Sequence, residues 1–251
     1  MNTKAASMSL RTSHTCRNIG RFVLFLFVAA CSDAKPPAPE DFTARREAMV
    51  RRQIEARGIA DPATLAAMRA VPRHEFVPAH VQDEAYADCP LPIGYGQTIS
   101  QPYIVAFMTE AIRPQPGEKI MEVGAGSGYQ AAVLAHTGAD VQTIEIIGPL
   151  ADMARQNLER LGIGNARVHQ GDGYRGLPEH APFDAIIVTC APDKLPPDLI
   201  AQLKDGGRMI IPVGDGYSQE LVLLRKTGDR VEQQSVLPVR FVPMTGEVQA
   251  R

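Results

Sequence analysis

Residues 120–135 read IMEVGAGSGYQAAVLA, an apolar run that breaks into three alternating glycines and restarts as an alanine-rich helix. A strand, a glycine turn and a helix in that order build a ligand site out of backbone. Only glycine lets the main chain come this close to a bound molecule. The spacing is Gly124-x-Gly126-x-Gly128, not the G-x-G-x-x-G of dinucleotide-binding turns. Glu122, which the pattern puts at the strand start, stands where a ligand's amino group can be met. A methionine ammonium is stabilised by a carboxylate and a pyrophosphate is not, so this turn favours S-adenosylmethionine over NAD. The bland alternative is a glycine-rich turn that binds nothing.

The downstream context supports the ligand reading. Residues 140–146 (DVQTIEI) alternate like a strand and end near Glu145. An acidic residue at the tip of the second strand, about 20 residues past the glycines, holds ribose hydroxyls in such folds. A helix is expected from Leu150 to Leu161, stopped by Gly162 and Gly164. A third strand, residues 166–170, ends at Gly171-Asp172-Gly173. Asp172 alone either accepts from an adenine amino group or serves the turn itself, a common use of Asp-Gly; in series with Gly124–Gly128 and Glu145, the ligand reading wins. Phe183–Thr189 reads as a buried fourth strand, Leu195–Leu203 as a helix and Gly207–Val213 as strand five. Gln219–Arg225 and Val231–Val239 alternate like an antiparallel pair. Strands alternating with helices imply an α/β fold, a doubly wound, mostly parallel sheet, here with an antiparallel closing strand.

Residues 91–106 read LPIGYGQTISQPYIVA. Periodicity gives a glycine turn and a polar stretch before a helix that begins near Pro102, with Ser100 or Thr98 available to cap it. The chain also closely resembles the protein-L-isoaspartate O-methyltransferase family. The matching segments are LPIG-x-GQTISQPY, EVGAGSGYQAAVLA, Gly171-Asp172-Gly173, Val188-Thr189-Cys190-Ala191-Pro192, GGRMIIPVG and VRFVPMTGE, in the family's order over roughly residues 45–247. The glycine motif is shared by many methyltransferases, whereas TISQPY with its surroundings is specific. Tyr95 occupies a variable position, and Cys190 stands where alanine is frequent.

The resemblance implies a Rossmann-like S-adenosylmethionine-dependent methyltransferase fold and a reaction. The methyl group goes to the free α-carboxylate of an isoaspartyl linkage, the ester returns to succinimide, and part of that hydrolyses to normal aspartate. The acceptor carboxylate is already ionised at neutral pH, so the protein has to supply alignment and exclude water. By resemblance Ser100 is the active-site residue, with Thr98 assisting from the same loop. The cofactor set is Glu122, Gly124, Gly126, Ser127, Gly128, Glu145, Asp172 and Gly173, with Thr245 at a family position near the cofactor. Backbone donors between Ile93 and Gln101 complete a carboxylate cradle. The partners so implied are isoaspartyl-containing proteins and peptides, met by a monomer.

Other chemistries find little support. His74, His80, His136, His169 and His180 are scattered without metal-ligand spacing. No nucleophile-elbow motif occurs. A net charge of −2 with no basic cluster in the body of the chain argues against a nucleic-acid partner. At 251 residues and 45% hydrophobic content, the chain can bury one sizeable α/β core. Residues 42–110 hold short helices and the substrate loop: an arginine-rich stretch to Arg57, a break at Gly58, and Asp61-Pro62 opening the next helix.

The first forty residues differ from the rest. Lys4, Arg11, Arg17 and Arg21 precede any acidic residue, the nine apolar residues Phe22–Ala30 follow, and then Cys31. Residues 1–30 read as a secretory leader, and Val28-Ala29-Ala30-Cys31 resembles a bacterial lipobox, which makes Cys31 a lipid anchor and residues 31–41 a proline-rich tether. That reading places residues 42–251, a single methyltransferase domain, at the cell envelope or in the periplasm. The alternative is a start at Met49 and a cytoplasmic protein. S-adenosylmethionine is made in the cytosol, so an exported copy needs a supply. Cys89 and Cys190 remain as thiols, a pair rather than a disulfide framework.

Four functions compete. Repair methylation of isoaspartyl residues stands first, because the LPIG-x-GQTISQPY loop is intact. Methylation of another carboxylate or a small molecule follows, then a non-catalytic cofactor-binding module at the envelope. An NAD-linked oxidoreductase fails on glycine spacing and lacks a catalytic His or Tyr motif.

Overall fold

A computed structural model describes residues 41–215 and 218–247. Residues 1–40, which carry the leader, the lipobox-like Cys31 and most of the tether, lie outside the described residues. Asp41–Arg251 forms one compact unit.

The N-terminal region is helical, as its capping residues dictate. Asp41 accepts from the Ala44 amide and opens α1 (Phe42–Met49), which runs on through π geometry at Val50–Ile54 and a 3₁₀ turn at Glu55–Arg57. Gly58, at φ +94°, ends it in the left-handed conformation that lets a helix close. Asp61 then caps α2 (Pro62–Ala70) by accepting from the Thr64 amide at 2.8 Å and its hydroxyl at 2.7 Å. Pro62 at the first turn loses no bond there.

A small antiparallel hairpin follows, β1 (Leu91–Gly94) and β2 (Gln97–Ile99). The sequence pattern gives only a turn here, because strands this short carry no readable alternation. Its tip, Gly94-Tyr95-Gly96, has three successive positive φ angles. The hairpin leads into α3 (Pro102–Ile112), whose N-cap residue is Gln101 with no side-chain cap bond. Neither Ser100 nor Thr98 caps the helix.

The central sheet has seven strands. They are β3 (Lys119–Val123), β4 (Asp140–Glu145), β5 (Ala166–Gln170), β6 (Phe183–Val188), β7 (Leu203–Gly214), β8 (Gln219–Thr227) and β9 (Arg230–Val239), in the order β5-β4-β3-β6-β7-β8-β9. The first five of that order run parallel, and β8 runs against both β7 and β9. The mostly parallel, doubly wound expectation is met, with the antiparallel strand one place inside the edge. Helices α4 (Tyr129–His136), α5 (Gly148–Arg160) and α6 (Pro197–Ala201) connect the parallel strands. The helix expected over Leu195–Leu203 shrinks to five residues. Pro196 and Pro197 delay its start, and Leu203 is already paired with Phe183 in the sheet.

Strand alternation sorts the core into two clusters. Ile120, Val141, Ala185, Ile187 and Ile210 pack with α1–α5, while Met121, Val123, Ile144, Ile186, Val188, Met209 and Ile211 pack with Leu199 and Tyr174. Both faces of the parallel strands are thus buried, as such sheets require. Glu122 shares the face of Ile120, under the helical layer.

The Asp61 cap joins two elements of that layer, since Glu110 of α3 accepts from the Ala60 and Asp61 amides just ahead of it. Asp61→Ala is expected to cost about 1–2 kcal/mol, read as a lower urea midpoint with an unchanged m-value. An unchanged midpoint would show that the cap contributes nothing.

Candidate active site

The order in which strands are added reverses at β3, which has parallel neighbours on both sides, β4 and β6. In open α/β sheets ligands bind beyond the carboxyl ends of the strands at such a point. There the chain leaves β3 through Gly124-Ala125-Gly126-Ser127-Gly128, held open by its neighbours. Gly124 and Ala125 amides donate to the Ile144 carbonyl at 2.8 and 3.3 Å. The Gly126 amide donates to Glu145 Oε2 at 2.9 Å, and the Ile147 amide to Glu145 Oε1 at 3.0 Å. Thr189 Oγ1 donates to the Val123 and Gly124 carbonyls at 2.9 and 2.7 Å. Gly124 sits at φ +96°, and a Cβ there would drive into Thr189 Oγ1.

A cleft lies over this turn. Gly124, Gly126, Glu145, Gly173 and Thr245 line it, together with Thr98, Thr189 and Cys190. A narrow extension beneath the hairpin reaches Glu122, Ser127, Ser100 and Tyr129. On the other side of Thr98 and Thr189 opens a groove of about 840 Å³, lined by Ser100, Gln101, Tyr103 and the segment Leu237–Pro243. That segment is tied across the end of β6: Ala191 donates to Val242, and Met244 donates back to Ala191. Gln219 holds it from below, its Oε1 accepting from the Phe241 amide at 2.6 Å.

Two residues of the expected set stand apart from the cleft. Gly128 is the left-handed N-cap of α4 and packs against Ala154 of α5. Asp172 serves its turn: Oδ1 accepts from the Tyr174 amide at 2.9 Å and Oδ2 from the Glu247 amide at 2.8 Å. Glu122 lies not at the strand start but fourth of the five residues of β3, one step from the glycine turn. Thr189 was not among the sequence candidates, although it contacts the turn and lines all three cavities. Its position just past a buried strand was the available signal.

The electrostatics of the cleft are unusual. Glu122 is fully buried, and neither carboxylate oxygen has a hydrogen-bond partner; Ser127 Oγ, also buried, has none. Desolvation pushes the Glu122 carboxyl up to about 8; the Glu145 carboxylate adds to the rise and Thr143 offsets part of it. Cys190 keeps some exposed area but lies deep enough that desolvation pushes its thiol up to about 12, aided by Glu145 and Asp172. Cys89 and Cys190 are both free. Among the described residues no cluster of three or more His, Cys, Asp or Glu is arranged to hold a metal, and no helix is long and apolar enough to cross a membrane.

Residues 44–249 match the family model described as protein-L-isoaspartate(D-aspartate) O-methyltransferase. A protein-L-isoaspartate O-methyltransferase of Synechococcus sp. is 54% identical over 216 residues, covering 83% of this chain and 88% of its own. One from Gloeobacter violaceus is 54% identical over 200 residues, 79% of this chain and 98% of its own. Among solved structures, a protein-L-isoaspartate O-methyltransferase aligns with TM-score 0.75 at 31% identity, covering 81% of this chain and 67% of that one. A Plasmodium falciparum structure described as a protein-L-isoaspartate O-methyltransferase in complex with S-adenosyl-L-homocysteine aligns with TM-score 0.70 at 25% identity, over 82% of this chain and 99% of that one.

Burial of Glu122 makes the ligand-free protein pH-sensitive. The unfolded carboxyl titrates near its ordinary 4.5 and the folded one near 8, so between these values the folded state keeps a proton that the unfolded chain releases. Stability from this group is therefore full below pH 4.5, falls as pH rises towards 8, and levels off above. Urea midpoints from pH 5 to 8.5 should drop more steeply in the wild type than in Glu122→Gln. Parallel curves would mean that Glu122 is ionised in the folded protein.

Proposed function

The chain belongs to the protein-L-isoaspartate(D-aspartate) O-methyltransferase family, and from that premise we propose that it esterifies the free α-carboxylate of isoaspartyl residues in damaged proteins and peptides, using S-adenosylmethionine. One observation carries the reading at the level of the site. The glycine-turn cleft and the 840 Å³ groove share walls at Thr98 and Thr189, so a donor in one meets an acceptor in the other.

The residues fit the cofactor. A buried carboxylate with two unpaired oxygens is costly unless a cation joins it, and the methionine ammonium is such a cation. Glu122 and Ser127 would hold that end, and Gly124 and Gly126 let the backbone come close. Glu145, at the tip of β4, would hold ribose hydroxyls while it keeps the turn in shape. Gly173 and Thr245 would border the adenosine end. Asp172, whose oxygens each accept one backbone amide and keep further acceptor capacity, would accept from the adenine amino group. When bound, S-adenosylmethionine supplies a methyl group on a sulfonium, and a neutral thioether is the leaving group.

Nothing in the chemistry asks for a general base, because the acceptor carboxylate is ionised. The chain's own task is positional. Ser100 stands in both the groove and the extension that reaches Glu122, its hydroxyl not committed to capping α3. It would donate to the acceptor carboxylate and aim one oxygen, with Thr98 acting from the shared wall. The Leu237–Pro243 segment closes the other side and excludes water, which strengthens these bonds. By the same reading the enzyme works as a monomer, and residues 1–30 export it for lipidation at Cys31. The order of basic, apolar and cysteine elements supports that step. Incorporation of labelled palmitate that Cys31→Ser abolishes is its test.

The decisive experiment follows methyl transfer from labelled S-adenosylmethionine to paired peptides that differ only in Asp versus isoAsp. Base-labile ester on the isoAsp peptide alone is expected; equal labelling of both, or none with folded protein, overturns the assignment. Ser100→Ala should lower kcat/KM on the order of 10- to 100-fold, the worth of a hydrogen bond to a charged group. Unchanged turnover and acceptor affinity would remove Ser100 from the site.

A further inference from the structure

The acceptor groove carries a one-sided charge. Its lining includes two arginines, Arg57 and Arg240, and no aspartate or glutamate, although the whole chain is slightly acidic at −2. The arginines come from distant parts of the fold. Arg57 ends the first helical segment, and Arg240 follows β9.

Arg57 is held in place. Its guanidinium carbon lies 3.5 Å from the centroid of the Tyr103 ring, whose edge belongs to the same groove. From behind, Asp88 accepts from Arg57 Nη1 at 3.1 Å and from Gln101 Nε2 at 2.8 Å. Asp88 is not itself part of the lining; it fixes Arg57 through Nη1, leaves the other guanidinium donors to face the groove, and offsets part of its charge. A planar cation stacked on an aromatic face keeps donors free for a second partner. Arg240 is exposed and makes no hydrogen bond or ion pair among the described residues.

Resting on the acceptor assignment above, we propose that Arg57 and Arg240 form a charge-reading wall that takes a second carboxylate of the acceptor, supplied by an acidic side chain next to the isoaspartyl residue. Ser100 and Thr98 deal with the reacting carboxylate. The wall lies along the same groove and reads the flanking sequence. It gives this enzyme a preference among damaged sites, with acidic segments bound ahead of neutral ones. Tyr103 and Asp88 are positioning residues that act through Arg57.

The test uses the full chain and two labelled isoAsp peptides that differ only by Glu or Gln beside the isoAsp. Binding is read by fluorescence anisotropy with S-adenosylhomocysteine present, and KM is measured in parallel. The Glu peptide should bind about threefold tighter at low salt, the scale of one exposed ion pair, and the gap should close as ionic strength rises. Arg57→Gln and Arg240→Gln should each narrow the gap and together erase it, whereas Arg57→Lys should keep part of it. Equal affinities in the wild type, tighter binding of the Gln peptide, or a gap that survives both substitutions would overturn the wall. Charge-selective binding without methylation of either peptide would instead uphold the wall and overturn the acceptor assignment.

Discussion

The whole site hangs on how the chain is held open as it leaves β3. Five residues without a regular hydrogen-bond ladder must keep one conformation, and their amides and carbonyls need partners. Glu145 supplies two, at Gly126 and Ile147, and Thr189 fastens the carbonyls of Val123 and Gly124. The turn is therefore braced from the tips of β4 and β6, the two parallel neighbours of β3. Loss of either brace removes more than a contact, because the cleft is the space these braces keep clear.

That bracing has an electrostatic cost. Glu145 lies close enough to raise the energy of ionising Glu122, which is fully buried without a hydrogen-bond partner. A folded core does not retain such a group for stability. A cation beside Glu122 would offset that cost. The neighbouring groove, by contrast, is lined by two arginines and no carboxylate, with Asp88 holding Arg57 alone.

Much of this was legible in the sequence, for local reasons. The glycine spacing, the acidic residue ending β4 and the alternation of strand and helix each follow from a few adjacent residues, and the structure has them where the pattern puts them. Where sequence pattern and structure differ, the cause is also local. Leu195–Leu203 has helical periodicity, yet two prolines and an early start to β7 leave five residues. Gly128, a cofactor residue in the sequence reading, is the left-handed N-cap of α4 and packs against Ala154. Asp172, read as a ligand residue in series with Gly124–Gly128 and Glu145, also accepts amides from Tyr174 and from distant Glu247.

The sequence alone determined the fold class, the family and the glycine turn after β3, because these rest on short motifs and on the two periodicities of backbone structure. Tertiary structure decided which side chains share a wall. Thr189 lines both the cleft over the glycine turn and the neighbouring groove, Glu122 is buried without a partner, and Arg57 and Arg240, far apart in the chain, line one groove. Cavity walls are assembled from residues far apart in the chain, and burial is a property of what packs around a group, so neither is written in any local stretch of sequence.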